Sequence, residues 1–423
     1  MRKISKLSLV AAVAVAGFST ANAQPLEEAI KNVETSGSVV YRYDNSQNDV
    51  ATSNQSRDTN SYKIGLNLSS KVNDYVKFNS RFLVANQNGG FADASSVLYG
   101  TTTTNGNSNS LDAKDGSDAN PDVTLSHANF AFTGIKNTTI TAGKQGLATP
   151  WTVAIDSDGN EQTGTGVLAL STVGPVTAGA GYFNQTNLDK SGNINGSRSI
   201  SVGNISGSAL TDNRNMGSRD IYVGALLADF SPVKLEAWYL DMADTFDTYT
   251  LVAKADFALS SDSKIGVEAR YVSLDLDQAD TDNAMYRLQV TGNVGIVNAK
   301  VGYTGTDKEG GLTALDQDAE NATLGWNLTS NGVADADYWQ GVLGVNILDN
   351  LNLSANYGHL KGKTSDANNT YNNYKAEELY GQLTYKMSKN LSTYLRYGNF
   401  EEKNGSTKLR DQDAGRLQVE YTF

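Results

Sequence analysis

Ala414-Gly-Arg-Leu-Gln-Val-Glu-Tyr-Thr-Phe423 closes the sequence, and its reading decides the fold. Leu417, Val419, Tyr421 and Phe423 alternate with Arg416, Gln418, Glu420 and Thr422, the period-2 pattern of a strand with one apolar face. Soluble domains more often end in a polar, frayed segment. In a transmembrane barrel the last strand pairs with the first, and its aromatic residue sits in the interfacial girdle. Phe423 in that place also fits a barrel-insertion signal. The bland reading is an ordinary sheet strand that happens to come last, and the opposite end of the chain weighs against it.

Arg2, Lys3 and Lys6 precede a short apolar run, Leu7 to Gly17, and Ala21-Asn-Ala23 forms a small-x-small site before Gln24. This is the pattern of a secretory signal cleaved between Ala23 and Gln24. The run is too short to cross a bilayer as a helix, which needs about 20 residues. The expected organisation is a signal peptide over 1–23 and one barrel domain over 24–423.

Composition narrows the class. The net charge of −12 becomes more negative once the three basic leader residues are removed, which argues against nucleic acid as a partner. With no Cys there is no disulfide framework, thiolate metal site or thiol nucleophile. Glycine at 40, tyrosine at 21 and proline at only 5 suit long strands with one lipid face and one wet face. Disorder is the rival for so polar a chain, and regular apolar alternation opposes it.

Alternation predicts about eighteen strands of barrel length: 35–45, 61–72, 76–85, 124–134, 138–145, 165–173, 176–184, 219–230, 233–241, 248–258, 263–273, 283–294, 297–305, 338–348, 351–361, 374–387, 391–400 and 412–423. Links after even-numbered strands are tight, as at Gly174-Pro175, Gly295-Ile296 and Asp349-Asn350. Links after odd-numbered strands are generally longer, with very long ones at 86–123, 146–164, 185–218 and 306–337. Short turns on one rim and long loops on the other are the outer-membrane arrangement. A soluble sandwich or propeller has no reason to sort its loops by parity. The expected fold is all-β, a transmembrane antiparallel barrel.

Phase assigns the faces. Tyr62, Ile64, Leu66 and Leu68 take the lipid side, and Lys63, Gly65, Asn67 and Ser69 the inside. Arg42, Arg81, Arg270, Arg287, Arg396 and Arg416 all fall on the phase opposite their apolar neighbours. An Arg or Lys facing lipid at the midplane would cost about 2–4 kcal/mol, so the inward phase wins. Several inward arginines imply a water-filled lumen, the size of which suits about eighteen strands.

A pore's chemistry lies at its narrowest point. Ala142-Gly-Lys144-Gln145 ends the fifth predicted strand, and the next loop carries Trp151, Val153 and Ile155, odd company for an exposed segment. Folding inward would bury these three and carry Asp156, Asp158 and Glu161 into the lumen. They would face the basic wall of Arg42, Arg81, Lys144, Arg270, Arg287 and Arg396, setting up a transverse field that sorts ions and polar solutes. The alternative is an acidic turn on the outside. Asp156-x-Asp158-Gly159-x-Glu161 also offers hard oxygen ligands, so Ca²⁺ at Asp156 is a candidate, although the spacing lacks a full EF-hand. The acidic run from Asp112 through Asp115 and Asp118 to Asp122 reads better as a solvated loop.

The same residues resemble the major outer membrane protein porins of Campylobacter-type bacteria. The likeness lies in Pro25-Leu-Glu-Glu-Ala-Ile-Lys31, Tyr41-Arg-Tyr-Asp44, Ala142-Gly-Lys-Gln145, Trp151, Ala154-Ile-Asp156, Gly164-Thr-Gly-Val167 and the closing Arg416-Leu-Gln418 with Phe423. The resemblance implies a homotrimeric, general-diffusion, cation-preferring channel with an inward third external loop. It places Asp156 on a constriction aspartate of that family. The loops at 101–122 and 306–337 do not visibly match it.

Two rival classes remain. His127 and His359 are the only histidines, on separate predicted strands, and neither has a Ser or Asp partner at a recognisable spacing, so catalysis is disfavoured. By phase His127 is grouped with Leu125, Asn129 and Ala131. Strands begin by about residue 35, leaving no room for the plug of a gated transporter. A substrate-specific channel or a surface adhesin on the same barrel stays open, with Trp238 the clear inward Trp. The expected partners are outer-membrane lipid, ions and small hydrophilic solutes, with no required cofactor.

Overall fold

The computed structural model describes residues 32–51, 55–85, 92–93, 122–188, 217–277, 282–365 and 371–423. The expected signal peptide, its Ala23–Gln24 junction and the acidic run from Asp112 to Asp118 lie outside the described residues. The strands are β1 (Glu34–Asn48), β2 (Ser56–Lys71), β3 (Val76–Ala85), β4 (Ala92–Asp93), β5 (Asp122–Phe132), β6 (Thr138–Gly146), β7 (Thr163–Val173), β8 (Val176–Thr186), β9 (Ile221–Phe230) and β10 (Val233–Met242). They continue as β11 (Phe246–Ala258), β12 (Ser263–Leu276), β13 (Asp282–Val294), β14 (Val297–Thr306), β15 (Ala334–Leu348), β16 (Leu351–Ser365), β17 (Tyr371–Lys386), β18 (Leu391–Asn404) and β19 (Thr407–Thr422).

Among the described residues, eighteen of these close into one antiparallel barrel, and the short β4 adds a brief pairing to β2. β1 pairs with β2 on one side and β19 on the other, so among the described residues the eighteen strands close on themselves. Phe423 completes the seam: its N–H donates to Gly37 O at 3.0 Å, and Gly37 N–H donates to Phe423 O at 2.9 Å.

At one rim every connection is tight, at 72–75, 133–137, 174–175, 231–232, 259–262, 295–296, 349–350 and 387–390. Gly174 and Gly295 open two-residue turns at φ 57° and 55°, the left-handed values that hairpins with native twist require. The opposite rim carries the long connections, with short ones among them at 243–245, 277–281, 366–370 and 405–406. At the last of these, β18 and β19 run further than alternation had marked, to Asn404 and from Thr407.

The two faces separate cleanly. Leu226, Leu251, Leu288, Val301, Leu343, Leu379 and Leu395 are each more than half exposed on the outer surface. A soluble protein does not leave so broad an apolar belt bare; lipid covers it. Towards the long-loop rim the belt ends in aromatic pairs on neighbouring strands, Tyr182–Tyr222, Tyr249–Tyr271 and Tyr286–Tyr303–Trp339. Inside, Arg42, Lys63, Arg81, Arg270 and Arg287 are all buried.

The phase assignment of His127 changes. The ladder pairs Arg81 with His127 but Phe82 with Leu125, so Ser126 is the extra residue of a bulge. The bulge leaves Leu125 on the outside and turns Ser126 inward; His127 therefore does not share a face with Leu125.

Candidate constriction site

Two loops from the long-loop rim fold into the lumen. The first, 147–162, follows β6. Trp151 anchors it, fully buried among Leu147, Phe183, Trp238, Leu240 and Met242, with its indole N–H donating to Thr248 Oγ1 at 2.9 Å. Glu161 anchors its other end. Its carboxylate takes Lys63 Nζ at 2.6 Å, Arg81 Nη2 at 2.8 Å and Ser126 Oγ at 2.5 Å. Burial pushes the Glu161 carboxyl up, but Arg81 and Lys63 more than offset this and hold it below its ordinary value.

Between the anchors the chain makes a tight turn around Asp156. Its Oδ1 accepts the N–H groups of Asp158 and Asn160 at 2.9 and 2.8 Å, and Oδ2 accepts Asn160 Nδ2 at 2.8 Å. Such a local cap is a common use of Asp in turns. Burial, with Asp158 and Asp318 near by, pushes the Asp156 carboxyl up to about 7 against the hydrogen bonds from Asn160. The turn also reverses side-chain direction. Ile155, expected to be buried, is instead 47% exposed.

The second loop, 307–333, within the long link marked at 306–337, also folds inward. Leu312, Leu315, Ala319, Ala322 and Leu328 are buried, and Asn331 Oδ1 accepts the N–H groups of Thr313 and Ala314 at 3.0 and 3.1 Å. The wall grips it through basic side chains: Arg287 donates to Ala322 O at 3.0 Å, while Arg270 reaches Asn321 Oδ1 at 2.9 Å and pairs with Glu320. Opposite, Glu378 accepts the N–H groups of Trp326 and Asn327 at 2.7 and 2.6 Å.

The loops are tied to each other. Leu315 N–H donates to Trp151 O at 2.8 Å, Asn321 N–H to Pro150 O at 2.9 Å, Gln162 Nε2 to Asp316 Oδ2 at 2.6 Å, and Ser157 N–H to Asp318 Oδ2 at 2.9 Å. Carboxylate oxygens of Asp156, Asp316 and Asp318 come within 4.8 Å of one another. Facing the β1–β19 seam, a cavity of about 430 Å³ is lined by Arg42, Asp44, Asp158, Asn160, Trp326 and Arg416 among others. A large closed barrel narrowed by inward loops, with fixed charges at the narrowing, is a diffusion channel in construction.

Over its whole length, residues 1–423, the sequence matches the family model described as Campylobacter major outer membrane protein. The chain belongs to that family. No curated protein matches it. The fold resembles that of Pseudomonas aeruginosa OpdL, with a TM-score of 0.67 at 15% identity over 93% of this chain and 99% of that one. Acinetobacter baumannii OccAB2 gives 0.65 at 16% over 93% and 98%, and P. aeruginosa OccK1 gives 0.66 at 14% over 93% and 99%. At such identities the likeness concerns the fold alone. As a major outer membrane protein family member with a closed eighteen-stranded barrel, the protein resides in the outer membrane as a channel, its wall against lipid and its lumen open to solute.

Within this porin the sequence-expected residues take different parts. Asp158 is the lumen-facing carboxylate, its side chain 53% exposed, with Arg42 Nη1 at 3.4 Å and Arg416 Nη2 at 3.8 Å behind it. Asp156 is buried and shapes the turn, and Glu161 is buried against the wall. Arg42, Arg81, Arg270 and Arg287 lie on the inner wall in ion pairs. Arg396 lies there too, beneath the Trp326 ring. Lys144, expected in the basic wall, does not belong to it. Register sets it opposite Ala128 and Thr165, on the phase of Ala142 and the exposed Val167, and its ammonium donates to Leu125 O at 2.8 Å.

Asp316, Asp318, Glu320 and Trp326 were not found by sequence reasoning. The signal was there: Leu312, Leu315, Leu324, Trp326 and Leu328 make 307–333 as apolar as the segment around Trp151.

Proposed function

We propose that this porin passes ions and small hydrophilic solutes by passive diffusion and prefers cations. One observation carries the reading. At the narrowing the carboxylates stand in front and the guanidiniums behind. Asp158 and Glu320 are 53% and 59% exposed, while their partners Arg42 and Arg270 are 6% and 0% exposed. A permeating ion approaches the acidic member of each pair first, and in water-filled surroundings the nearer charge dominates because screening attenuates the farther one.

Single-channel recording in a planar bilayer under a salt gradient tests this. Ohmic steps with a cation-side reversal potential are expected, arriving in threes if the channel is the homotrimer that its family resemblance implies. Asp158→Asn should move the reversal potential toward zero. An unchanged reversal potential in that variant would remove Asp158 from the selectivity site.

A calcium ion is a second reading of the same site, favoured by the convergence of three carboxylates from two loops. The donor set is hard oxygen, as Ca²⁺ requires, although the partners differ from those expected: Asp316 and Asp318 join Asp156 in place of Asp158 and Glu161. Bound calcium would cross-link the loops. Calcium added at micromolar to millimolar levels should then raise the unfolding temperature of the wild type, and less so that of Asp316→Asn. Equal shifts for both proteins would sink the site.

A further inference from the structure

The other wall arginines each have a carboxylate: Arg42 and Arg416 share Asp158, Arg416 also has Asp44, Arg81 has Glu161, and Arg270 and Arg287 have Glu268. Arg396 does not. Among the described residues its Nε donates to Gln382 Oε1 at 2.8 Å, and the guanidinium otherwise meets rings: Trp326 at 5.1 Å, Tyr380 at 5.0 Å and Tyr394 at 5.3 Å. Both terminal amino groups are left without an acceptor there. A guanidinium resting on aromatic faces keeps its edge donors available for a planar, two-toothed acceptor.

Across the ladder Arg396 meets a second cation. Register places Arg396 directly opposite Arg416 on β19. Like charges in that relation repel, and Asp44 at 2.5 Å answers Arg416 alone. Trp326, which lies 5.8 Å from Arg416 as well, lines the cavity between the loops and the seam. Glu378 holds its backbone in place, so the platform is fixed before any solute arrives.

We propose that Arg396, with Arg416 and Trp326, forms a docking point for the carboxylate of a small planar organic anion. The carboxylate meets the free edge of the Arg396 guanidinium, and the flat body of the solute lies along the aromatic surface. Such a point gives passing carboxylates a resting place inside a pore whose exposed charges at the narrowing, Asp158 and Glu320, are acidic. It rests on the diffusion-channel reading above, and its test separates the two.

Benzoate and benzyl alcohol share a ring and differ in charge, so each is added in turn to wild-type channels conducting in KCl. Benzoate is expected to produce resolvable current interruptions that benzyl alcohol does not. In Arg396→Gln the benzoate residence time should fall about tenfold, the size of one charge-assisted hydrogen bond. Trp326→Leu sits on a loop rather than the barrel wall. It should shorten residence too, and it serves where the wall variant fails to assemble. Indistinguishable responses to the two probes in wild type would overturn the docking site while leaving the channel intact. Residence unchanged in either variant would likewise overturn it. No current steps at all from inserted barrels would overturn the channel itself.

Discussion

Glu161→Gln is expected to cost about 3–5 kcal/mol of stability, because it strands two buried cations. Lys63 and Arg81 are 6% and 10% exposed and share this one carboxylate, itself 2% exposed. Glutamine preserves shape and some hydrogen bonding but supplies no charge, so both cations must find water. The least costly way is for the 147–162 loop to lift from the wall. Chemical unfolding in detergent should register the lost stability, and single-channel recording should show larger, noisier openings. A variant with wild-type stability and conductance would remove Glu161 as the anchor.

Acid should have the same effect, and the sign follows from the charge. The folded protein holds Glu161 below the ordinary carboxylate value of 4.5. A depressed carboxyl contributes its stabilisation above the unfolded value and loses it as pH falls through the folded value. Loop release is therefore expected only in acid, below the ordinary carboxylate value of 4.5, and absent near neutrality.

Trp151→Ala is the second large effect, about 3–5 kcal/mol for removing a fully buried indole. The site cannot easily collapse to fill the space. Rigid strands supply its neighbours Phe183, Trp238 and Leu240, and a small apolar cavity lined by Leu147, Leu168 and Trp238 already adjoins it. Thr248 Oγ1 loses its indole donor as well. Because Trp151 O also accepts from Leu315, slackening at Trp151 should pass to the 307–333 loop. Protease nicking within both loops, from the long-loop side, checks this. Nicking confined to 147–162 would show that the loops move independently.

The barrel wall was legible because lipid imposes a strict rule on every second residue. A single misplaced Arg is costly there, and alternation over ten positions is hard to produce by chance. Where the rule bends, the reading slipped. Ser126 enters as a bulge residue and moves His127 off the face of Leu125. The site was only half legible. Trp151 announced an inward loop because no exposed loop needs an indole. Ile155 misled because a turn closed by Asp156 reverses direction, which apolar content does not reveal. The leucines and Trp326 of 307–333 mark an inward loop, but the polar groups that hold it in place, such as Asp316 on Gln162 and Glu378 on Trp326, have partners distant in sequence. No local pattern encodes those contacts.

Asp158 reaches Arg42 on β1 and Arg416 on β19, the two strands that meet at the seam. Those arginines become neighbours only when the first and last strands have paired, the contact of longest sequence separation in the ladder and the slowest to form. The acidic narrowing is therefore assembled at the end of folding. A barrel caught with its seam open would have its hairpins in place and no filter.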